Sequence, residues 1–115
     1  MDRHMKLHGH FERNRHLLKV FREKRVDLEE SRPVELHFWA RGQPNSVRLA
    51  SELYKRGFTL LQLRPAQRPD NADLWNIEAG TTASISRVTS EEFVAMLTDV
   101  AAACDADYDG WGTSV

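Results

Sequence analysis

The sequence predicts an α+β domain, a four-stranded antiparallel sheet with two helices on one face and an additional N-terminal helix. Three observations predict it. Residues 34–40 (VELHFWA) alternate apolar and polar side chains, the period of a strand with one buried face. Residues 47–54 and 93–104 repeat apolar side chains at the three-and-four spacing of amphipathic helices. The extended runs 58–63, 74–79 and 107–115 fall between and after those helices, so the order from Val34 onward is β-α-β-β-α-β. Two β-α-β halves of similar strand length close most simply as a ferredoxin-like sandwich. In that arrangement the first and third strands are central and the last strand pairs with the first.

Residues 1–10 have no hydrophobic period and are expected to form a disordered tail. His4 and His8 are four apart there, but with no carboxylate or thiolate support a loose His-rich tail outweighs a metal site. Residues 11–31 are expected to form a basic helix, with Leu17, Leu18, Phe21 and Leu28 on one narrow stripe and Arg and Lys on the other face. Pro33 disfavours helical backbone at Arg32 and begins the main domain, residues 32–115.

In the first strand Val34, Leu36, Phe38 and Ala40 point to the core, and Glu35, His37 and Trp39 point away. Gly42-Gln43-Pro44-Asn45 is a turn, after which Asn45 or Ser46 caps a helix running to Arg56. Gly57 ends that helix in the left-handed conformation, with Phe58 folding back on it. Residues 64–73, with Pro65, Pro69, Asp70 and Asn71, read as a loop. The third strand places Trp75, Ile77 and Ala79 on one face, and the polar stretch behind it extends the strand toward Ile85. Thr89-Ser90-Glu91-Glu92 reads as a capping box with Thr89 as the cap. Phe93, Met96, Leu97, Val100, Ala101 and Cys104 then form the stripe of a core helix.

With 115 residues, 41% hydrophobic and 29% charged, the chain has material for one core. No apolar run approaches the ~20 residues of a membrane span. No apolar segment follows the basic N-terminus as in a secretory signal, and the single Cys104 excludes an internal disulfide. A cytoplasmic protein is therefore expected. Charge is uneven: residues 1–26 hold eight Lys and Arg against three Asp and Glu, and the remainder holds eight against fourteen.

No catalytic residues, cofactor or metal site is expected. The chain has no G-x-S-x-G turn and no glycine-rich phosphate loop. Cys104 lies on an apolar stripe, and Glu91 and Glu92 serve the helix start. What remains is the sheet face away from the helices. It carries His37 and Trp39, and on the last strand either Trp111, or Tyr108 with Gly110 and Gly112, because their parities differ. An uncovered indole marks a partner site. Sheets of this topology that bind RNA surround such aromatics with Lys and Arg, whereas Glu35, Glu78, Asp107 and Asp109 make this face acidic. A protein partner therefore ranks above RNA, with His37, Trp39, Tyr108, Asp109 and Trp111 as candidate contacts. The alternative is a nucleic-acid-associating module that uses Arg13, Arg15, Lys19, Arg22, Lys24 and Arg25 of the basic arm for phosphates. The alternating Gly110 and Gly112 predict a bulge or the close approach of a helix.

Three stretches carry a family resemblance: Asp27-Leu28 followed by Arg32-Pro33-Val34-Glu35, then Gly57-Phe58, and most specifically Tyr108-Asp109-Gly110-Trp111-Gly112-Thr113. Together, over about residues 15–115, they resemble the regulator of ribonuclease activity B family. The resemblance implies a ferredoxin-like, non-catalytic regulator that inhibits ribonuclease E and so slows RNA decay. It implies a protein partner, ribonuclease E or a related nuclease; RNA ranks lower, and no cofactor, no membrane and a monomer or weak dimer are expected of the chain. Where the best-studied pattern of that family has strongly acidic extensions, this sequence has a basic N-terminal arm.

Overall fold

A computed structural model of the protein describes residues 2–66 and 73–115. Its elements are α1 (Arg3–Glu23), β1 (Arg32–Arg41), α2 (Gln43–Lys55), β2 (Thr59–Pro65), β3 (Leu74–Ala83), α3 (Ile85–Val88), α4 (Glu91–Ala103) and β4 (Ala106–Thr113). The strands form one sheet in the order β2-β3-β1-β4, and every pairing is antiparallel. This is the expected ferredoxin-like arrangement, with β1 and β3 central and the last strand beside the first. Residues 67–72 of the expected loop lie outside the described residues.

β1 anchors the core because its alternation is strict. Val34, Leu36, Phe38 and Ala40 are each at most 2% exposed. They meet Ile77 and Ala79 of β3 and the buried faces of α2 and α4, including Leu49, Leu53, Phe93 and Leu97. Burying a side chain of this size contributes about 1.5–3 kcal/mol. α2 ends as its sequence requires. Gly57 has φ +92°, its N–H donates to Tyr54 O, and the Phe58 N–H donates to Leu53 O, the paired bonds of a Schellman motif.

Both helix starts differ from expectation. α2 begins at Gln43, with Gly42 as its N-cap and no capping side chain. Pro44 in the first turn has no N–H needing a partner, and Asn45 and Ser46 donate instead to Arg41 O and Gln43 O. β3 runs on to Ala83, but Ile85 starts the short α3 rather than extending the strand. Thr89 is consequently the C-cap of α3 and donates to Ile85 O, so the cap of α4 falls to Ser90, which accepts from the Phe93 N–H.

α1 occupies the stretch expected to be a disordered tail, and it ends at Glu23, earlier than the expected helix. Asp2 caps it by accepting from the Met5 N–H. Its hold on the domain comes from residues distant in sequence: Arg3 pairs with Asp99 of α4, Lys6 with Asp107 of β4, and Leu17, Leu18 and Phe21 pack on the core. Lys24 is its C-cap, and Arg25 at φ +57° reverses the chain so that Val26 and Leu28 pack against the core as well.

β4 departs from simple alternation. Tyr108 lies opposite Phe38 but Gly110 lies opposite His37, so Asp109 is an extra residue in a bulge. Gly110 has φ +123°, backbone that a side chain resists. The bulge shifts the phase of the strand by one residue. Tyr108 and Trp111 therefore both face the core, each 6% exposed, where only one had been expected to.

Candidate partner-binding face

The helices lie on one side of the sheet, and the other side is built from crosswise rows set by the register. One row is Thr59, Gly80, Glu35 and Gly112; the next is Gln62, Glu78, His37 and Gly110; the third is Arg64, Asn76, Trp39 and Asp107. His37 stands between two carboxylates, 3.7 Å from Glu35 and 3.6 Å from Glu78. Trp39 is half-buried, and its indole N–H points at Asp109 Oδ2 at 3.4 Å, so the bulge residue orients the one large aromatic that the described residues place on this face. Asp107 accepts from Lys6 at 2.5 Å and from Arg41 at 3.0 Å. Partial burial pushes its carboxyl up, but the two cations outweigh that and hold it below the usual carboxylate value.

The candidate contacts therefore divide. His37, Trp39 and Asp109 share the uncovered face. Tyr108 and Trp111 do not, because the bulge turns both inward. Trp111 Nε1 donates at 2.9 Å to Asn14 Oδ1 of α1, and Asn14 is 4% exposed. Tyr108 stacks on His10 with ring centroids 4.8 Å apart, and its burial pushes the phenol's pKa well up. Of the six basic-arm cations, Arg13 is drawn to β4, while Arg15, Lys19 and Arg22 are exposed at the i, i+4, i+7 spacing of one face of α1. Arg13 donates to Asp109 O and lies against Gly110, Arg15 pairs with Glu12 at 2.6 Å, Lys19 and Arg22 are exposed further along α1, and Lys24 and Arg25 follow its end.

Sequence reasoning missed how α1 treats the outer edge of β4. His10 Nε2 lies 3.0 Å from Tyr108 O, and Arg13 Nη1 donates to Asp109 O at 3.3 Å. These carbonyls would otherwise be free edge acceptors, a template for another strand. Among the described residues no strand pairs with the outer edge of β2, where Leu60 and Leu61 are 46% and 52% exposed. Clustered histidines at the N-terminus were the one available signal, and they had suggested only a loose tail.

The His10 contact makes α1 docking sensitive to acid. Burial lowers the pKa of His10; the Tyr108 carbonyl opposes this, and Arg13 adds to the lowering. Unfolding returns the ring to its ordinary value of 6.5, so as pH falls the unfolded chain takes up the proton first. The contribution is complete above that value and is lost as pH drops through it. The thermal midpoint is expected to fall between about pH 7.5 and about pH 5, and to fall less in His10→Gln. Equal drops in the two proteins would assign the effect to other groups.

Among the described residues no group of three or more His, Cys, Asp or Glu is placed to hold a metal ion, and no helix is long and apolar enough to cross a membrane. Fold and face together define a ferredoxin-like α+β domain with an added N-terminal helix and one uncovered sheet surface. The chain belongs to the family described as Regulator of ribonuclease activity B, which matches residues 11–113. It is similar to a Regulator of ribonuclease activity B from Pseudoalteromonas translucida (strain TAC 125), with 28% identity over 80 residues, 70% of this chain and 72% of that protein.

Proposed function

We propose that this chain regulates a ribonuclease in the cytoplasm by binding it through the uncovered sheet face, with no chemistry of its own. The nuclease that the family resemblance implies is ribonuclease E or a close relative. Trp39 is the observation that carries this reading. It is a half-buried indole on a sheet face that no layer covers among the described residues, oriented by Asp109 and flanked by His37. Aromatic anchors of this kind hold a large share of the energy of protein interfaces. The acidic neighbours Glu35 and Glu78 disfavour a phosphate backbone as the occupant.

A cleavage assay with purified ribonuclease E and increasing amounts of this protein tests the reading. Wild type is expected to slow cleavage. Trp39→Ala is expected to need about thirtyfold more protein for the same effect, the size of a hot-spot loss of about 2 kcal/mol. Its thermal midpoint should barely change, because Trp39 lies outside the core. Inhibition by Trp39→Ala equal to wild type would remove this face from the mechanism.

A further inference from the structure

The row Thr59, Gly80, Glu35, Gly112 crosses the whole sheet, and its two glycines flank Glu35 on both neighbouring strands. The floor they make belongs to a groove of about 690 Å³, walled by Leu61 on one side and by Thr113 and Ser114 on the other. The fold does not demand this emptiness at Gly112. A Cβ there would meet only His37 Nε2, at 4.0 Å, an ordinary contact. Over Gly80 lies the side chain of Leu61, which is apolar and 52% exposed. The groove thus has an apolar end and an acidic middle.

Charge identifies the occupant. Asp107, on the same face, is matched by Lys6 and Arg41. Among the described residues Glu35 and Glu78 share His37 as their sole ion-pair partner, and the Glu35 side chain is 59% exposed. Resting on the reading that this face docks a protein, the geometry points to a groove for an extended, basic segment of that partner. The segment crosses the strands above Gly80, Glu35 and Gly112, with an Arg or Lys at Glu35 and an apolar side chain against Leu61. Four strands span three spacings of ~4.8 Å, so about four residues of extended chain cross the sheet. Leu61 reaches over Gly80, one strand or roughly 5 Å from Glu35, which sets the apolar residue one or two positions from the basic one.

The test titrates three probes into the ¹⁵N-labelled full chain and follows backbone amides. The probes are a peptide of about twelve residues repeating Leu-Ser-Arg-Ser, the same peptide with Glu for Arg, and a single-stranded RNA of similar length. The Arg peptide is expected to shift Gly80, Glu35 and Gly112, and the other two are not. Glu35→Gln should weaken it about tenfold. Gly112→Val, which fills the groove, should do the same while leaving the thermal midpoint within a few degrees.

No binding of the Arg peptide, shifts elsewhere on the surface, or indifference to both substitutions would overturn the proposal. So would RNA shifting the same amides, or shifts that grow with protein concentration alone and so identify a second copy as the occupant. The cleavage assay separates this inference from the reading beneath it. If wild type inhibits and both variants inhibit equally well, the groove is wrong and the regulatory reading stands. If wild type does not inhibit at all, the regulatory reading fails, and the peptide titration still decides the groove.

Discussion

Trp111→Ala is expected to lower the thermal midpoint by about 10 °C or more and to loosen α1 from the domain. Trp111 lies opposite Leu36 in the core, 6.3 Å from the Phe21 ring of α1, and its indole N–H is held by the buried Asn14. Truncating a buried Trp removes its packing and leaves a cavity, a loss of about 3–5 kcal/mol. In a chain of this size that corresponds to a shift on the order of 10–20 °C. The comparison with Trp39→Ala makes the result specific, since that variant should lose partner affinity at nearly constant stability. Calorimetry on both proteins checks it. Two equal, small shifts would mean that Trp111 is a surface residue after all.

Deleting residues 2–23 is expected to destabilise the domain by roughly 3 kcal/mol or more and to make it self-associate. A basic arm free of the body would leave no trace when removed. The observed helix instead covers Tyr108 and Trp111, contributes Leu17, Leu18 and Phe21 to the core margin, and supplies the Asn14 acceptor. Removing the helix exposes both rings to water, and the apolar area uncovered supplies the expected loss. Urea unfolding with size-exclusion chromatography reads both effects. A truncated chain that stays monomeric with an unchanged midpoint would show that α1 is not part of the folded unit.

The fold was legible where its signal is local. The alternation of 34–40 and the stripe from Phe93 to Cys104 state their own periods, and together with strand order they specify the topology. For the same reason His37 and Trp39 could be placed on the outer face before the structure was known. Interactions between distant residues were not legible. Arg3, Lys6 and His10 become ordered through Asp99, Asp107 and Tyr108, about a hundred positions away, and nothing in 1–10 hints at those partners. The bulge at Asp109 breaks the parity argument that set Tyr108 against Trp111. Gly110 had signalled a bulge or a close helix, and both hold there, the backbone at φ +123° and the Arg13 guanidinium beside it. The groove needed register as well, since Gly80 and Gly112 become neighbours of Glu35 only once three strands are aligned.

The unequal treatment of the two sheet edges limits how this protein can assemble. With the Tyr108 and Asp109 carbonyls of β4 engaged by His10 and Arg13, β2 is, among the described residues, the sheet edge left open to a strand from another molecule. A second copy joining there uses the open edge of both molecules at once, so growth stops at a two-fold pair. A sheet open on that edge alone would have a valence of one, with α1 as its stop.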